Sequence, residues 1–155
     1  MNIYEYALNN VELSGPTFFA PLIAETMKMC EYHKNSESDV YTILLILTDG
    51  EIHDMDKTID LIVKSSHLPL SIIIVGIGNA DFGKMDTLDG DNGLFNSAGQ
   101  KAMRDLVQFV PYRNFKGDMS RLAKEVLAEV PDQLCEYMRL VGKKPRPATD
   151  INIAQ

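Results

Sequence analysis

The chain predicts an α/β fold, a parallel sheet with helices packed on it. Three features point there. Tyr41-Thr-Ile-Leu-Leu-Ile-Leu47 is a nearly continuous, β-rich apolar run that stops at Thr48-Asp49-Gly50. Leu70-Ser-Ile-Ile-Ile-Val75 is a second such run, stopped by Gly76-Ile77-Gly78. Runs that are apolar on both faces and end at glycine belong to strands covered from both sides, as in parallel sheets. Segments of helical periodicity separate them, and strand–helix–strand order calls for right-handed crossovers.

The elements follow in chain order. The pattern predicts a helix from Thr17 to about His33, with Leu22, Ile23, Thr26, Met27, Met29 and Cys30 near one face. The run from 41 to 47 is the first strand. A helix from Met55 to about His67 turns Ile59, Ile62 and Val63 inward, and the run from 70 to 75 is the second strand. Asp86-Thr-Leu-Asp-Gly-Asp-Asn-Gly93 has the look of a calcium loop but fails the EF-hand spacing. Counted from Asp89, the fifth position is Gly93 and the twelfth is Gln100. It reads as a solvated acidic turn. A short helix is predicted from Ala98 to about Asp105, then a third strand over Leu106–Val110, ended by Pro111. Asp118 caps a helix with Leu122, Val126 and Leu127 inward. Pro131 breaks it and opens another, with Leu134, Cys135 and Met138 inward. From Gly142 the chain reads Lys-Lys-Pro-Arg-Pro-Ala and then a polar end, which is a tail.

Composition narrows the function. Hydrophobic residues are 45% and charged residues 24% of the chain, a globular balance that excludes full disorder. Fifteen Lys and Arg against 22 Asp and Glu give −7, which argues against whole-chain nucleic-acid binding. The charge is uneven: residues 1–100 hold 5 basic and 15 acidic groups, residues 101–155 hold 10 and 7. The acidic part suits a cation and the basic end an anionic surface. Two cysteines exclude a disulfide framework or a Cys-rich zinc site, and both read as free, buried thiols of a reducing compartment. No stretch approaches the ~20 apolar residues that span a bilayer. Met1–Tyr6 lacks the basic and apolar regions of a signal peptide. The expectation is a soluble, cytoplasmic protein.

Ligands of open α/β sheets bind at the carboxyl ends of the strands. That points to Thr48-Asp49-Gly50, to Gly76–Ala80 and to the loop before the Thr17 helix. Asp49 there can hold a hard cation or simply turn the chain, since Asp-Gly is a common turn pair. Thr17 can supply a neutral oxygen or cap its helix. One hydroxyl and one carboxylate are too few for a tight Mg²⁺ or Ca²⁺ site. Gly76-Ile77-Gly78 is no dinucleotide fingerprint, because position 81 is Asp81. His53 and Asp54 are adjacent, but no Ser or Cys is placed to use them, and His33 and His67 sit near helix ends in structural roles. No enzyme is predicted.

Six blocks carry a resemblance. They are Leu13-Ser-Gly-Pro-Thr-Phe-Phe-Ala-Pro21, Leu47-Thr-Asp-Gly-Glu-Ile-His-Asp-Met-Asp56, Leu68-Pro-Leu-Ser-Ile-Ile-Ile-Val-Gly-Ile-Gly78, Met85-Asp-Thr-Leu-Asp-Gly-Asp91, Arg104-Asp-Leu-Val-Gln-Phe-Val-Pro-Tyr-Arg113 and Leu122-Ala-Lys-Glu-Val-Leu-Ala-Glu-Val-Pro-Asp-Gln-Leu134. In this order they resemble the C-terminal half of the copine domain, a variant of the von Willebrand factor A fold, over about residues 3–141. The resemblance implies a three-layer, Rossmann-like sheet truncated on its N-terminal side, with residues 1–141 as a partial domain and 142–155 as a basic, then polar, tail.

It further implies a metal-ion-dependent adhesion site at the top of the sheet. Thr17 matches the threonine of its second loop and Asp49 the aspartate of its third, around Mg²⁺, Mn²⁺ or Ca²⁺. The first, Asp-x-Ser-x-Ser, loop has no counterpart among the 155 residues, so the site is incomplete. Copines join two C2 domains, which bind phospholipid in response to calcium, to this A-type domain, which recruits target proteins. The expected function is therefore that of a protein-interaction module of a copine, in membrane trafficking or signalling. The full-length parent would be cytoplasmic and peripherally membrane-associated through its C2 domains. The alternative is a divalent-metal or anionic-membrane binder in its own right, through the acidic rim or Lys143-Lys144-Pro145-Arg146. In the A-type fold the first strand lies beside the 41–47 strand. Without it that strand has an unpaired apolar edge, and a homo-oligomer is expected.

Overall fold

The computed structural model describes residues 2–12, 14–35, 40–90, 93–115 and 117–144, leaving aside the side chain of Asn35. Three strands, β1 (Thr42–Thr48), β2 (Leu70–Gly76) and β3 (Val107–Pro111), form one sheet in the order β1-β2-β3. Both pairings are parallel, as the apolar runs require. The helices are α1 (Asn2–Asn10), α2 (Ala20–Asn35), α3 (Met55–Ser65), α4 (Gly83–Asp89), α5 (Met119–Val126) and α6 (Val130–Leu140), with a short 3₁₀ turn over Tyr112–Asn114. Strand–helix–strand order and a small parallel sheet flanked by helices match the expected open, A-type sheet.

Every residue of β2 is buried. One face of the sheet, bearing Ile46, Ile74 and Phe109 in one row, packs against α2, α3 and α4 through Ile23, Ile62 and Met85. Burying an Ile, Leu or Met side chain of this kind contributes roughly 1.5–3 kcal/mol. On the other face α5 covers β3 through Leu122, Phe115 and Val110. There α6 is tied to the sheet by polar groups: Tyr41 Oη lies 2.8 Å from Ser71 Oγ, Ser71 Oγ donates to Gln133 Oε1 (2.6 Å), and Gln133 Nε2 donates to Glu129 (3.2 Å). With its amide oriented to satisfy both groups, Gln108 also donates to Glu129, at 2.6 and 2.8 Å.

That network changes which residues of α6 face inward. Gln133 and Tyr137 are buried, Leu134 and Met138 are half-buried, and Cys135 is exposed, contrary to the expected apolar face and the second buried thiol. Ser71 and Gln108 on the sheet select a polar partner, so the helix turns its amide and its tyrosine toward them. Leu127 is likewise exposed, because α5 ends at Val126. The Asp118 cap forms as expected, accepting the Arg121 N–H at 3.0 Å, and Pro131 sits in the first turn of α6.

Two helix assignments need correction. No helix forms over 98–105. Asn96 Oδ1 accepts the N–H groups of Ala98 and Gln100, Phe95 bridges Lys101, and Asp60 holds both the N–H and the hydroxyl of Ser97. The turn is built by side-chain acceptors, which compete with the helical ladder. The helix stands earlier, at α4, where an acidic turn was expected. Met85 and Leu88 lie one turn apart and are buried, and Asp89 is no solvated acid because its Oδ1 accepts the Phe109 N–H at 2.7 Å. The short helix α1, with no buried residue, was not foreseen. The tail lies outside the described residues from 145 onward.

The two thiols provide a check. Burial pushes the Cys30 thiol above its usual range, while Cys135 is exposed. A soluble thiol reagent at neutral pH is expected to modify one cysteine rapidly, identified as Cys135 by mass spectrometry. Cys30 should follow only with global unfolding, since the thiolate is the reacting form.

Candidate functional site

The carboxyl ends of β1 and β2 form a rim. Gly50 has φ +100°, and a Cβ there would stand 2.8 Å from the Phe82 ring. A Cβ on Gly76 would stand equally close to the same ring. The two glycines let the post-strand loops close over Phe82, whose other neighbours are Phe109 (5.5 Å between ring centroids) and the Arg113 guanidinium, 5.0 Å from the ring centroid. Arg113 also donates to the Ala80 carbonyl at 2.8 Å, pinning the 77–81 loop. Ile77 N–H donates to Thr48 O, so the two loops leave the sheet together.

The loop before α2 is fastened to this rim. Thr17 N–H donates to His53 Nδ1 (3.1 Å) and His53 N–H returns to Thr17 O (2.9 Å). Asp54 accepts the N–H groups of Phe19 (3.0 Å) and Ala20 (2.9 Å), and the Thr58 hydroxyl as well. The start of α2 is thus capped by a carboxylate from another loop. That is why the helix begins at Ala20 rather than Thr17: two of its free N–H groups point at Asp54. His53 and Asp54, considered above only as an acid–base pair, are the clamp that holds the 17–20 loop in place. Sequence reasoning missed this role because partners 34–36 residues apart leave no local pattern.

The clamp brings Thr17 to the same end of the sheet as Asp49. Both are exposed. Asp49 Oδ1 accepts the Glu51 N–H at 3.1 Å, an Asx turn closing the loop after β1. Among the described residues no group of three or more His, Cys, Asp or Glu could hold a metal ion. The donor set of Thr17 and Asp49 is one hydroxyl and one carboxylate, whereas a hard cation takes six or more oxygens. These two side chains do not fit a tight metal centre by themselves. Among the described residues no helix is long and apolar enough to cross a membrane.

Two measurements separate turn from clamp and metal from no metal. Asp54→Ala removes three accepted hydrogen bonds and is expected to lower stability by about 1–2 kcal/mol in urea unfolding. Asp49→Ala should stay within about 0.5 kcal/mol of the parent. In titration calorimetry with Mg²⁺, Mn²⁺ and Ca²⁺, the parent chain is expected to show no saturable heat at micromolar cation. A micromolar isotherm abolished by Asp49→Ala would establish a complete centre there.

The copine family model matches residues 1–146. Copine-A of Dictyostelium discoideum is 47% identical over 147 residues, covering 95% of this chain and 24% of that protein. Copine-C of the same organism is 44% identical over 148 residues, covering 95% of this chain and 28% of its own. Nicotinic receptor-associated protein 1 of Caenorhabditis elegans is 46% identical over 161 residues, covering 97% and 25%. The chain thus spans about a quarter of the length of these curated relatives. On the family match and the parallel, helix-flanked sheet together, the chain belongs to the copine family.

Proposed function

We propose that this chain is a protein-interaction module whose contact surface is the open side of β1. One observation carries the reading. In the parallel register Ile43, Leu45 and Leu47 stand beside Ser71, Ile73 and Val75 on the same face of the sheet. The β2 residues are at most 5% exposed, whereas Ile43, Leu45 and Leu47 are 46, 54 and 66% exposed. The same row of side chains is covered on one strand and bare on the next. β1 is also the edge strand, so the outward N–H and C=O groups of a seven-residue strand are unpaired within the sheet. Leu22 and Met29 of α2 add further exposed apolar surface.

A bare apolar row beside an unpaired backbone edge suits a partner strand, which gains hydrogen bonds and apolar contact together. The occupant we propose is β1 of a second copy, antiparallel across a two-fold axis, joining two three-stranded sheets into one of six strands. Copine A-type domains are non-catalytic, and a binding role agrees with that. One relative is named for association with a receptor, which supports protein binding for the family.

Target recruitment by the rim around Thr17, Asp49 and Gly78 is a proposal that rests on the resemblance. So are calcium-dependent phospholipid binding and membrane trafficking or signalling by a longer parent. A partial cation site at Thr17 and Asp49 has the same standing. The anionic-membrane alternative rests on Lys143, Lys144 and Arg146, about 1 kcal/mol for each basic residue near such a surface.

Size-exclusion chromatography with light scattering at micromolar protein is expected to give a dimer. Leu45→Lys, which places a charge in the bare row, should shift the population to monomer with an unchanged far-UV circular dichroism spectrum. A monodisperse monomer for the parent chain would overturn the self-pairing.

A further inference from the structure

A concavity lies away from the rim. It opens near the amino end of β3, between α4 with residues 93–106 on one side and the last turns of α6 on the other, with a volume of about 760 Å³. Sites for small organic ligands run from roughly 300 to 1,000 Å³. Ile62, Leu88, Leu94, Leu106 and Leu140 supply apolar wall.

Arg104 also lines it and is 7% exposed. Of the five N–H groups of a guanidinium, three are engaged. Nη2 donates to the carbonyls of Leu68 and Leu70, and Nη1 donates to that of Asp105. Nε is buried with no acceptor. Among the described residues no carboxylate comes within ion-pair distance of Arg104. Carbonyl dipoles and the Tyr137 ring, 5.8 Å from the guanidinium, are its company. Buried charges are ordinarily met by an opposite charge, and this one is not.

The remaining charges of the wall set the ligand's class. Lys101 and Arg139 are basic and exposed, Glu136 is acidic and exposed, and Asp89 and Asp105 each accept a backbone N–H of β3, from Phe109 at 2.7 Å and Val107 at 3.2 Å. Three acids against three bases leave the lining formally neutral, which disfavours a polyanion such as a polyphosphate. Apolar wall beside one buried cation that no carboxylate meets directly suits a monoanion on an apolar body. We propose that this cavity binds an amphipathic monocarboxylic acid, its carboxylate toward Arg104 and its apolar body against Leu88, Leu106 and Leu140.

The test is a titration of the full ¹⁵N-labelled chain with decanoate, and separately with decanol and inorganic phosphate, followed by NMR. The expected result is saturable decanoate shifts at submillimolar ligand, confined to residues 88–90, 101–107 and 136–140, with decanol and phosphate at least about tenfold weaker. Arg104→Gln is expected to weaken decanoate about tenfold. Arg104 also holds the Leu68 and Leu70 carbonyls, so that variant can lose its fold. Leu140→Trp, at a half-exposed wall position, leaves the guanidinium and its bonds in place and is expected to abolish binding by filling the space. No saturable shift, equal shifts with decanol or phosphate, shifts on β1 and α2 instead, or undiminished binding by Leu140→Trp would each overturn the proposal.

Discussion

The molecule depends on the coverage of β2 from four sides. Its two edges are hydrogen-bonded to parallel neighbours and its two faces lie under helices, so all seven of its residues are removed from water. A parallel strand in that position cannot be reached by a tight turn. Each neighbour is delivered by a crossover that lays a helix or loop over one face. The layers and the core of Ile62, Ile74 and Met85 follow from this one constraint. β1 is held on one edge and one face only, and the bare row of Ile43, Leu45 and Leu47 is what that difference looks like in exposed side chains. That bare row is therefore the unfinished part of the same packing problem.

Just past the carboxyl end of β1 the chemistry is polar, and two nearby aspartates divide the work unequally. Asp49 turns its own loop through the Glu51 N–H, a local bond in water. Asp54 reaches across 34–35 residues to two N–H groups at the start of α2. A carboxylate bonded to helical N–H groups is charge-assisted and sits at the positive end of the helix dipole. Asp54 thus positions the loop that carries Thr17, and Thr17 and Asp49 share a rim because of a residue that is neither of them. Their own donor set remains one hydroxyl and one carboxylate, which makes the rim a shaped surface before it is a metal centre.

The family relation joins these observations without replacing them. The relatives are about four times as long as the region matched, and the matched region carries a parallel sheet with one side uncovered. The uncovered edge runs the length of β1, and the rim lies at the carboxyl ends of β1 and β2. The concavity beside Arg104 lies away from the rim, on the far side of the sheet from the Thr17 loop along the strand direction.

The sequence alone determined the parallel sheet and its strands. Ile43–Leu47 and Ile72–Val75 are apolar at every position, which predicts strands buried on both faces; β2 is buried so, whereas β1 corrects the expectation, with Ile43, Leu45 and Leu47 exposed on the face its neighbours leave open. It also determined the Asp118 cap and the Pro131 start of α6, because those signals are local. Asp49 and Thr17 were legible as residues after a strand and before a helix, on fold rules and family resemblance. Tertiary structure decided the rest. The Asp54 clamp, the Arg104 anchor and the Ser71–Gln133–Glu129 network join residues more than thirty positions apart or depend on such pairs, and no periodicity records them. The short helix α4 and the turn over 94–103 fell either way on propensity. Met85 and Leu88 found a core to enter, whereas Asn96 and Asp60 captured the backbone groups a helix would have used. Short segments carry too few local bonds to choose their own conformation, so the neighbours chose for them.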